Sequence, residues 1–172
     1  MTLVLIMLGA YVRLSDAGLG CPDWPGCYGQ LLGVPQSMDE AAKAFPDRPF
    51  DTGKAWREMA HRYVAAVLGL LIALMAFVAW LNRGEQRQPL LLPIVLLILV
   101  ILQALLGMWT VTLLLQPMIV TTHLLGGIAT MALLWWLFLK THPRVFPPQR
   151  PTSHHGLCAA LWLLPCCCCS FR

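Results

Sequence analysis

Two histidines lie inside otherwise apolar segments of this chain, where an ionisable side chain is rare and functional by default. His61 lies in the apolar run 58–81, and His123 lies in the run 117–140. If both runs are helices that begin at one membrane surface, the two positions differ in depth by only about 3–5 Å. Two imidazoles at one depth in a helical bundle suit axial ligation of a haem iron. The alternative for each histidine is an interhelical hydrogen bond.

Glu58 precedes His61 by three residues, so both side chains project from one face of a helix. A carboxylate at the boundary of the apolar run can accept a proton or orient a water molecule. It can equally be a helix N-terminal charge that the macrodipole stabilises. A di-iron centre would need a second Glu-x-x-His motif, and the segment TTHLL around His123 has no carboxylate. The sequence therefore predicts a haem site with one adjacent carboxylate.

Three arginines lie near the same boundary, namely Arg13, Arg57 and Arg62. Each can pair with a haem propionate, because a guanidinium binds carboxylates well. Each can also lay its aliphatic stem along apolar surface while its charge stays in water. The second arrangement is the more common one for an arginine at such a boundary, and a propionate contact is the alternative for each of the three.

Cys21 and Cys27 mark the segment GLGCPDWPGCYG, residues 18–29. The two prolines and the glycine between the cysteines favour a turn that brings the sulfur atoms together. A metal site would need a closer C-x₂₋₄-C pair and two further ligands. On an oxidising side of a membrane the pair predicts a disulfide. Reduced structural thiols and a redox-active pair remain alternatives.

The elements that position these residues are predicted to cross a membrane. The 172-residue chain is 58% hydrophobic and only 12% charged, and its mean hydropathy is +0.68, whereas soluble domains have about 25% charged residues. Runs of about 20 apolar residues cross a bilayer as helices. We predict an all-α integral membrane protein whose residues 1–140 form a four-helix transmembrane bundle. The predicted spans are 1–12 (partial), 58–81, 90–115 and 117–140.

The first apolar run, 1–12, is shorter than a bilayer requires and lacks the basic residues that begin a signal peptide. We therefore expect it to be the outer end of a helix whose start is missing from this sequence.

Lys and Arg predict the orientation of the bundle. They occur in the connections 82–89 and 140–150 but not in the turn 116–117. Short connections rich in these residues face the cytoplasm, so the long loop 13–57 is predicted to be extracytoplasmic. The formal net charge of +4 is thus a topology signal. No basic cluster with interleaved aromatic residues indicates nucleic-acid binding.

The C-terminal segment 141–172 is predicted to be a cytoplasmic connection followed by the start of a fifth span. That start, GLCAALWLLP, gives way to CCCCSFR, which we interpret as a truncated or frame-shifted end. Four adjacent cysteines match no metal-ligand spacing, and we assign them no role. The tail histidines, His142, His154 and His155, are expected to lie at the solvated surface.

Four segments in order resemble the N-terminal half of the haem A synthase family over residues 9–140: GAYVRLSDAGLGCPDWPGCYGQ, EMAHRYVAAVLG, QALLGMWTV and PMIVTTHLLGG. The resemblance implies an eight-helix fold of two similar four-helix bundles, of which this chain holds one. It implies oxidation of the C8 methyl group of haem O to a formyl group, which gives haem A for cytochrome oxidase assembly. It also implies a bacterial inner membrane location, or the mitochondrial inner membrane equivalent.

Residue roles follow from the resemblance. His61 and His123 are implied to ligate the iron of the substrate haem, while a haem b belongs to the second bundle, which is absent here. The resemblance implies that Glu58 takes part in the oxidation. It also implies that Cys21 and Cys27 correspond to the cysteine pair of the family that forms a disulfide. The implied partners are haem O, membrane lipid, a haem O synthase and an electron donor.

Two other functions remain open. The chain can be a bis-histidine haem-binding cytochrome module that transfers electrons without oxidising a methyl group and pairs with a second copy of itself. Alternatively, it is a membrane fragment in which the histidines and the cysteine loop only stabilise packing.

Overall fold

The computed structural model describes residues 1–84 and 89–141, which form five helices. Among these residues there is no β-strand beyond an isolated bridge between Cys27 and Gln30. Arg87 and the predicted tail after Thr141, including the four adjacent cysteines, lie outside the described residues. The helices are α1 (Thr2–Leu14), α2 (Met38–Ala44), α3 (Thr52–Leu81), α4 (Leu91–Thr112) and α5 (Pro117–Thr141).

Three of these helices are long and apolar enough to cross a membrane, namely α3, α4 and α5 with 30, 22 and 25 residues. Helix α1 is apolar but has only 13 residues. These features confirm the predicted all-α class and give three candidate membrane spans, while the four-helix transmembrane bundle stays a prediction.

Helix α3 begins before the predicted span 58–81 because Asp51 caps it. The Oδ1 atom of Asp51 accepts a hydrogen bond from the Lys54 backbone N–H at 2.9 Å, as expected of an N-cap residue. That N–H also holds the pKa of the Asp51 carboxyl below its usual value. The first two turns of α3 therefore belong to the loop side of the molecule.

Helix α4 ends at Thr112, whereas the predicted span continued to residue 115. Leu114 and Leu115 have φ angles of 51° and 57°, in the left-handed region that side chains rarely adopt. This turn redirects the chain into α5. Its Leu115 side chain lies against Gly18, where a Cβ atom would approach Leu115 Cδ2 to 3.3 Å.

The four longer helices pack in a ring. Helix α1 contacts α3 and α5, and α4 also contacts α3 and α5. At the end farther from Glu58, Leu68 and Ile72 of α3 pack with Leu96 of α4 and Leu137 of α5. Many other large apolar side chains of these helices point outward and are exposed, as expected for surfaces that face lipid.

The connection between α1 and α3 has a small core of its own. The Tyr28 ring contacts Phe45 and Phe50 edge to face, with ring centroids 5.8 Å and 5.2 Å apart. Its hydroxyl donates a hydrogen bond to the Pro49 carbonyl at 2.8 Å, and burial raises the pKa of Tyr28. The same core includes Ala55 and Met59 of α3. The connection is thus a folded cap on the first turns of α3.

Gly20 allows this cap to approach α3 closely. A Cβ atom at Gly20 would lie 2.7 Å from the Lys54 carbonyl carbon and 2.8 Å from the Ala55 nitrogen. Because both are backbone atoms of a helix, they cannot move aside as a flexible side chain would.

We expect Gly20→Ala to destabilise the protein in detergent by about 1–3 kcal/mol, the usual cost of overpacking. Thermal unfolding measures the effect. The control is Gly69→Ala on α3, where nothing lies within 4 Å of the added Cβ. Equal unfolding temperatures for the two variants would contradict the close approach at Gly20.

Candidate functional site

His61 of α3 and His123 of α5 lie at the same end of the ring of helices. At 1.5 Å per residue, they lie about 30 Å and about 27 Å from the last residues of their helices. The structure therefore brings the two predicted ligands into one layer.

Each imidazole lies against a glycine of a neighbouring helix. A Cβ atom at Gly9 of α1 would approach His61 Cε1 to 2.9 Å, and one at Gly107 of α4 would approach His123 Cε1 to 3.6 Å. All four helices of the ring thus contribute to the surroundings of the histidine pair. The contact at Gly9 is the tighter of the two.

The Nδ1 atoms of both histidines are buried and have no hydrogen-bond partner. A buried polar atom without a partner is costly, and each such case in a folded protein requires an explanation. An iron porphyrin fits this site because the macrocycle supplies the equatorial nitrogens and the protein supplies only axial ligands. Within the described ranges, no group of three or more His, Cys, Asp or Glu side chains could hold a metal ion.

Glu58 is buried one turn before His61 on α3, with 5% of its surface exposed. Its Oε2 atom accepts a hydrogen bond from the Cys21 backbone N–H at 3.0 Å. Its Oε1 atom forms an ion pair with Arg62 Nη2 at 2.5 Å. Both carboxylate oxygens therefore have partners.

Arg62 also binds the cysteine loop. Its Nη1 atom donates hydrogen bonds to the backbone carbonyls of Asp23 at 2.9 Å and Pro25 at 3.3 Å, and to the carbonyl of Gly26. One guanidinium thus joins the loop to the Glu58 carboxylate.

The other two predicted arginines lie elsewhere. Arg57 donates from Nε to the Gly53 carbonyl of its own helix at 3.0 Å. Arg13 is exposed in the last turn of α1. The three arginines therefore have different surroundings, and only Arg62 contacts Glu58 among the interactions of the described residues.

Cys21 and Cys27 are joined by a disulfide in the structure and are fully buried, with their Cα atoms 4.8 Å apart. The Asp23 carboxylate stabilises the turn that follows by accepting hydrogen bonds from the backbone N–H groups of Tyr28 at 2.6 Å and Gly29 at 2.9 Å. The loop that carries Cys21 is therefore held in the position from which its N–H reaches Glu58.

Sequence reasoning missed the contact between Arg62 and the loop. The i,i+4 spacing of Glu58 and Arg62 was the available signal, since such pairs meet on a helix surface. The three loop carbonyls could not be identified from sequence, because main-chain acceptors are present at every position.

Comparison with known proteins agrees with the resemblance in the sequence. A family model named COX15-CtaA and described as "Cytochrome oxidase assembly protein" matches residues 1–169.

Relatives named Heme A synthase match much of the chain. The protein from Shewanella oneidensis is 48% identical over 145 residues, which are 83% of this chain and 43% of the relative. The protein from Rhizobium etli is 27% identical over an alignment of 177 positions, which covers 91% of this chain and 48% of the relative. The protein from Shouchella clausii is 30% identical over 106 residues, or 61% and 30%. The chain spans less than half the length of each of these relatives.

The family predicted from the sequence is confirmed by these matches, and the chain belongs to the COX15-CtaA family of cytochrome oxidase assembly proteins.

Proposed function

We propose that this chain forms the substrate-binding half of a haem A synthase, an oxidoreductase that converts the C8 methyl group of haem O into a formyl group. The observation that carries the proposal is the pair of buried imidazoles in one layer, each with an unpartnered Nδ1 atom. The relatives named Heme A synthase support a role in the formation of haem A. The product, haem A, serves the assembly of cytochrome oxidase.

His61 and His123 are the residues that would hold the substrate haem through its iron. The bound iron porphyrin supplies the redox chemistry. The role of the chain is to hold the two imidazoles at one depth and to exclude water around them. The apolar outer surfaces of α3, α4 and α5 keep the site within lipid, which suits a hydrophobic substrate.

Glu58 is the residue that we assign to proton movement. With water as the oxygen source, conversion of –CH3 and H2O into –CHO releases four protons and four electrons. An external oxidant must take the electrons, and a proton acceptor must lie near the reacting carbon. The Glu58 carboxylate lies one turn from His61, and the Cys21 N–H and Arg62 fix its orientation. It would accept a proton at a carboxylate oxygen.

The loop 13–57, which contains the cap, is proposed to lie on the extracytoplasmic side of the bacterial inner membrane, or of its mitochondrial equivalent. Oxidising conditions there preserve disulfides such as Cys21–Cys27. A second bundle with haem b, a haem O synthase that delivers substrate and an electron-transfer partner that takes the electrons complete the proposed system. In that system α1 belongs to the first of the four spans of this bundle.

Replacement of either ligand tests haem binding. We expect His61→Ala and His123→Ala to abolish or strongly weaken the Soret absorbance of the purified membrane protein, because each removes one axial ligand. His154→Ala, in the tail, is the control and should retain the absorbance. An unchanged spectrum in either ligand variant would remove that histidine from the proposed pair.

The glycines opposite the two imidazoles allow a sharper test of the same site. We expect Gly9→Ala to displace the His61 ring and weaken haem binding by about ten-fold, which corresponds to about 1.4 kcal/mol. Gly107→Ala is the matched control, because its added Cβ would make only an ordinary contact with His123 at 3.6 Å. Titration with haem measures both affinities. Equal effects of the two substitutions would contradict the described position of the His61 ring.

The role of Glu58 is separable from haem binding. We expect Glu58→Gln to keep the haem spectrum but to prevent formation of haem A from haem O, because the amide cannot accept the proton. Chromatography of extracted haems measures the product. Haem A formation at the normal rate would exclude Glu58 from proton transfer. If even the unsubstituted chain binds haem without forming haem A, the cytochrome module is the better description.

A further inference from the structure

Two adjacent leucines form the most exposed apolar part of the cap. Leu31 and Leu32 expose 71% and 85% of their surfaces. The neighbouring residue, Gly33, has a φ angle of 98°, which favours glycine. Its backbone N–H donates a hydrogen bond to the Tyr63 hydroxyl of α3 at 2.7 Å. We call residues 31–33 the leucine tip.

The side of α3 that holds the leucine tip follows from helix geometry. At 3.6 residues per turn, Tyr63 projects roughly 200° away from His61 around the helix axis. Tyr63 therefore lies on the face of α3 opposite the histidine site. The leucine tip is on the outside of the ring of helices.

This outer face of α3 is apolar along the whole helix. Trp56, Tyr63, Leu70 and Phe77 follow one another at intervals of seven residues and so lie on nearly the same face. Trp56, Leu70 and Phe77 are exposed. On a membrane-spanning helix such a face contacts lipid. The leucine tip is therefore continuous with a lipid-facing surface.

The depth of the leucine tip matches the boundary between lipid and water. Tyr and Trp are enriched at this boundary, and Trp56 and Tyr63 are the aromatic residues of the face near its beginning. Helical side chains lean toward the N-terminus, so the Tyr63 hydroxyl lies nearer the start of α3 than its Cα atom. The tip is bound at that level.

The charge pattern of the cap also permits contact with lipid. Residues 24–38 contain no Asp, Glu, Lys or Arg, so entry of the tip into an apolar phase does not require desolvation of a charge. Two exposed leucines gain free energy when they leave water.

We propose that the leucine tip inserts into the lipid of the membrane surface at the His61 end of the helices and anchors the cap there. Lipid then holds Leu31 and Leu32, next to Gly33, which Tyr63 holds. This anchor adds to the contacts of the cap with α3 described above. This inference depends on the membrane-spanning character of α3 and not on the proposed reaction.

Chemical labelling of introduced cysteines tests the anchor. The full chain is used with its tail cysteines replaced by serine and with Cys21–Cys27 retained. Leu32→Cys is compared with Lys43→Cys, an exposed position on α2, in liposomes that contain only the purified protein. A water-soluble maleimide should label position 32 at least about ten-fold more slowly than position 43, because lipid covers the tip.

Equal labelling rates in these liposomes would overturn the proposal. Protection only in native membranes would also overturn it, since the tip would then bind a protein partner. Leu31→Cys provides a second position if Leu32→Cys does not fold. Folding of each variant is checked by protection of the Cys21–Cys27 disulfide from mild reductant.

Discussion

The arrangement of the cap depends on one partly buried guanidinium, whose side chain is 12% exposed. Arg62 pairs with Glu58 and donates to three backbone carbonyls of the cysteine loop. A buried charge is tolerated only when it is paired and hydrogen-bonded, and Arg62 meets both conditions at once. Removal of either partner would leave the other buried without compensation. The loop, the carboxylate and the start of α3 are therefore stabilised as a unit.

The histidine pair depends on a different constraint, which is close approach between helices. Gly9 leaves room for the His61 ring, and Gly107 lies beside the His123 ring. A larger residue at Gly9 would force the imidazole to move, because its Cβ atom would lie 2.9 Å from His61 Cε1. Small residues are common where membrane helices pack. In this protein they also determine where the imidazoles are located.

Much of this organisation could be predicted from the sequence, because length and polarity determine which segments enter a membrane. The apolar runs around His61 and His123 predicted the helices and their common depth. The end of α4 could not be predicted, since the left-handed turn at Leu114 and Leu115 uses residues that rarely adopt it. The contacts of the leucine tip also required the structure, because they join residues that are 30 positions apart.

The acceptors that Arg62 uses in the loop belong to the main chain, and this has an evolutionary consequence. Side chains between the two cysteines can be exchanged over time without loss of the contact, provided that the turn keeps its shape. The contact depends on Arg62, on the disulfide, and on Asp23 and Gly26, which shape the turn, but not on the other side chains between the cysteines. Identity scores across this segment will therefore underestimate how faithfully the architecture is inherited.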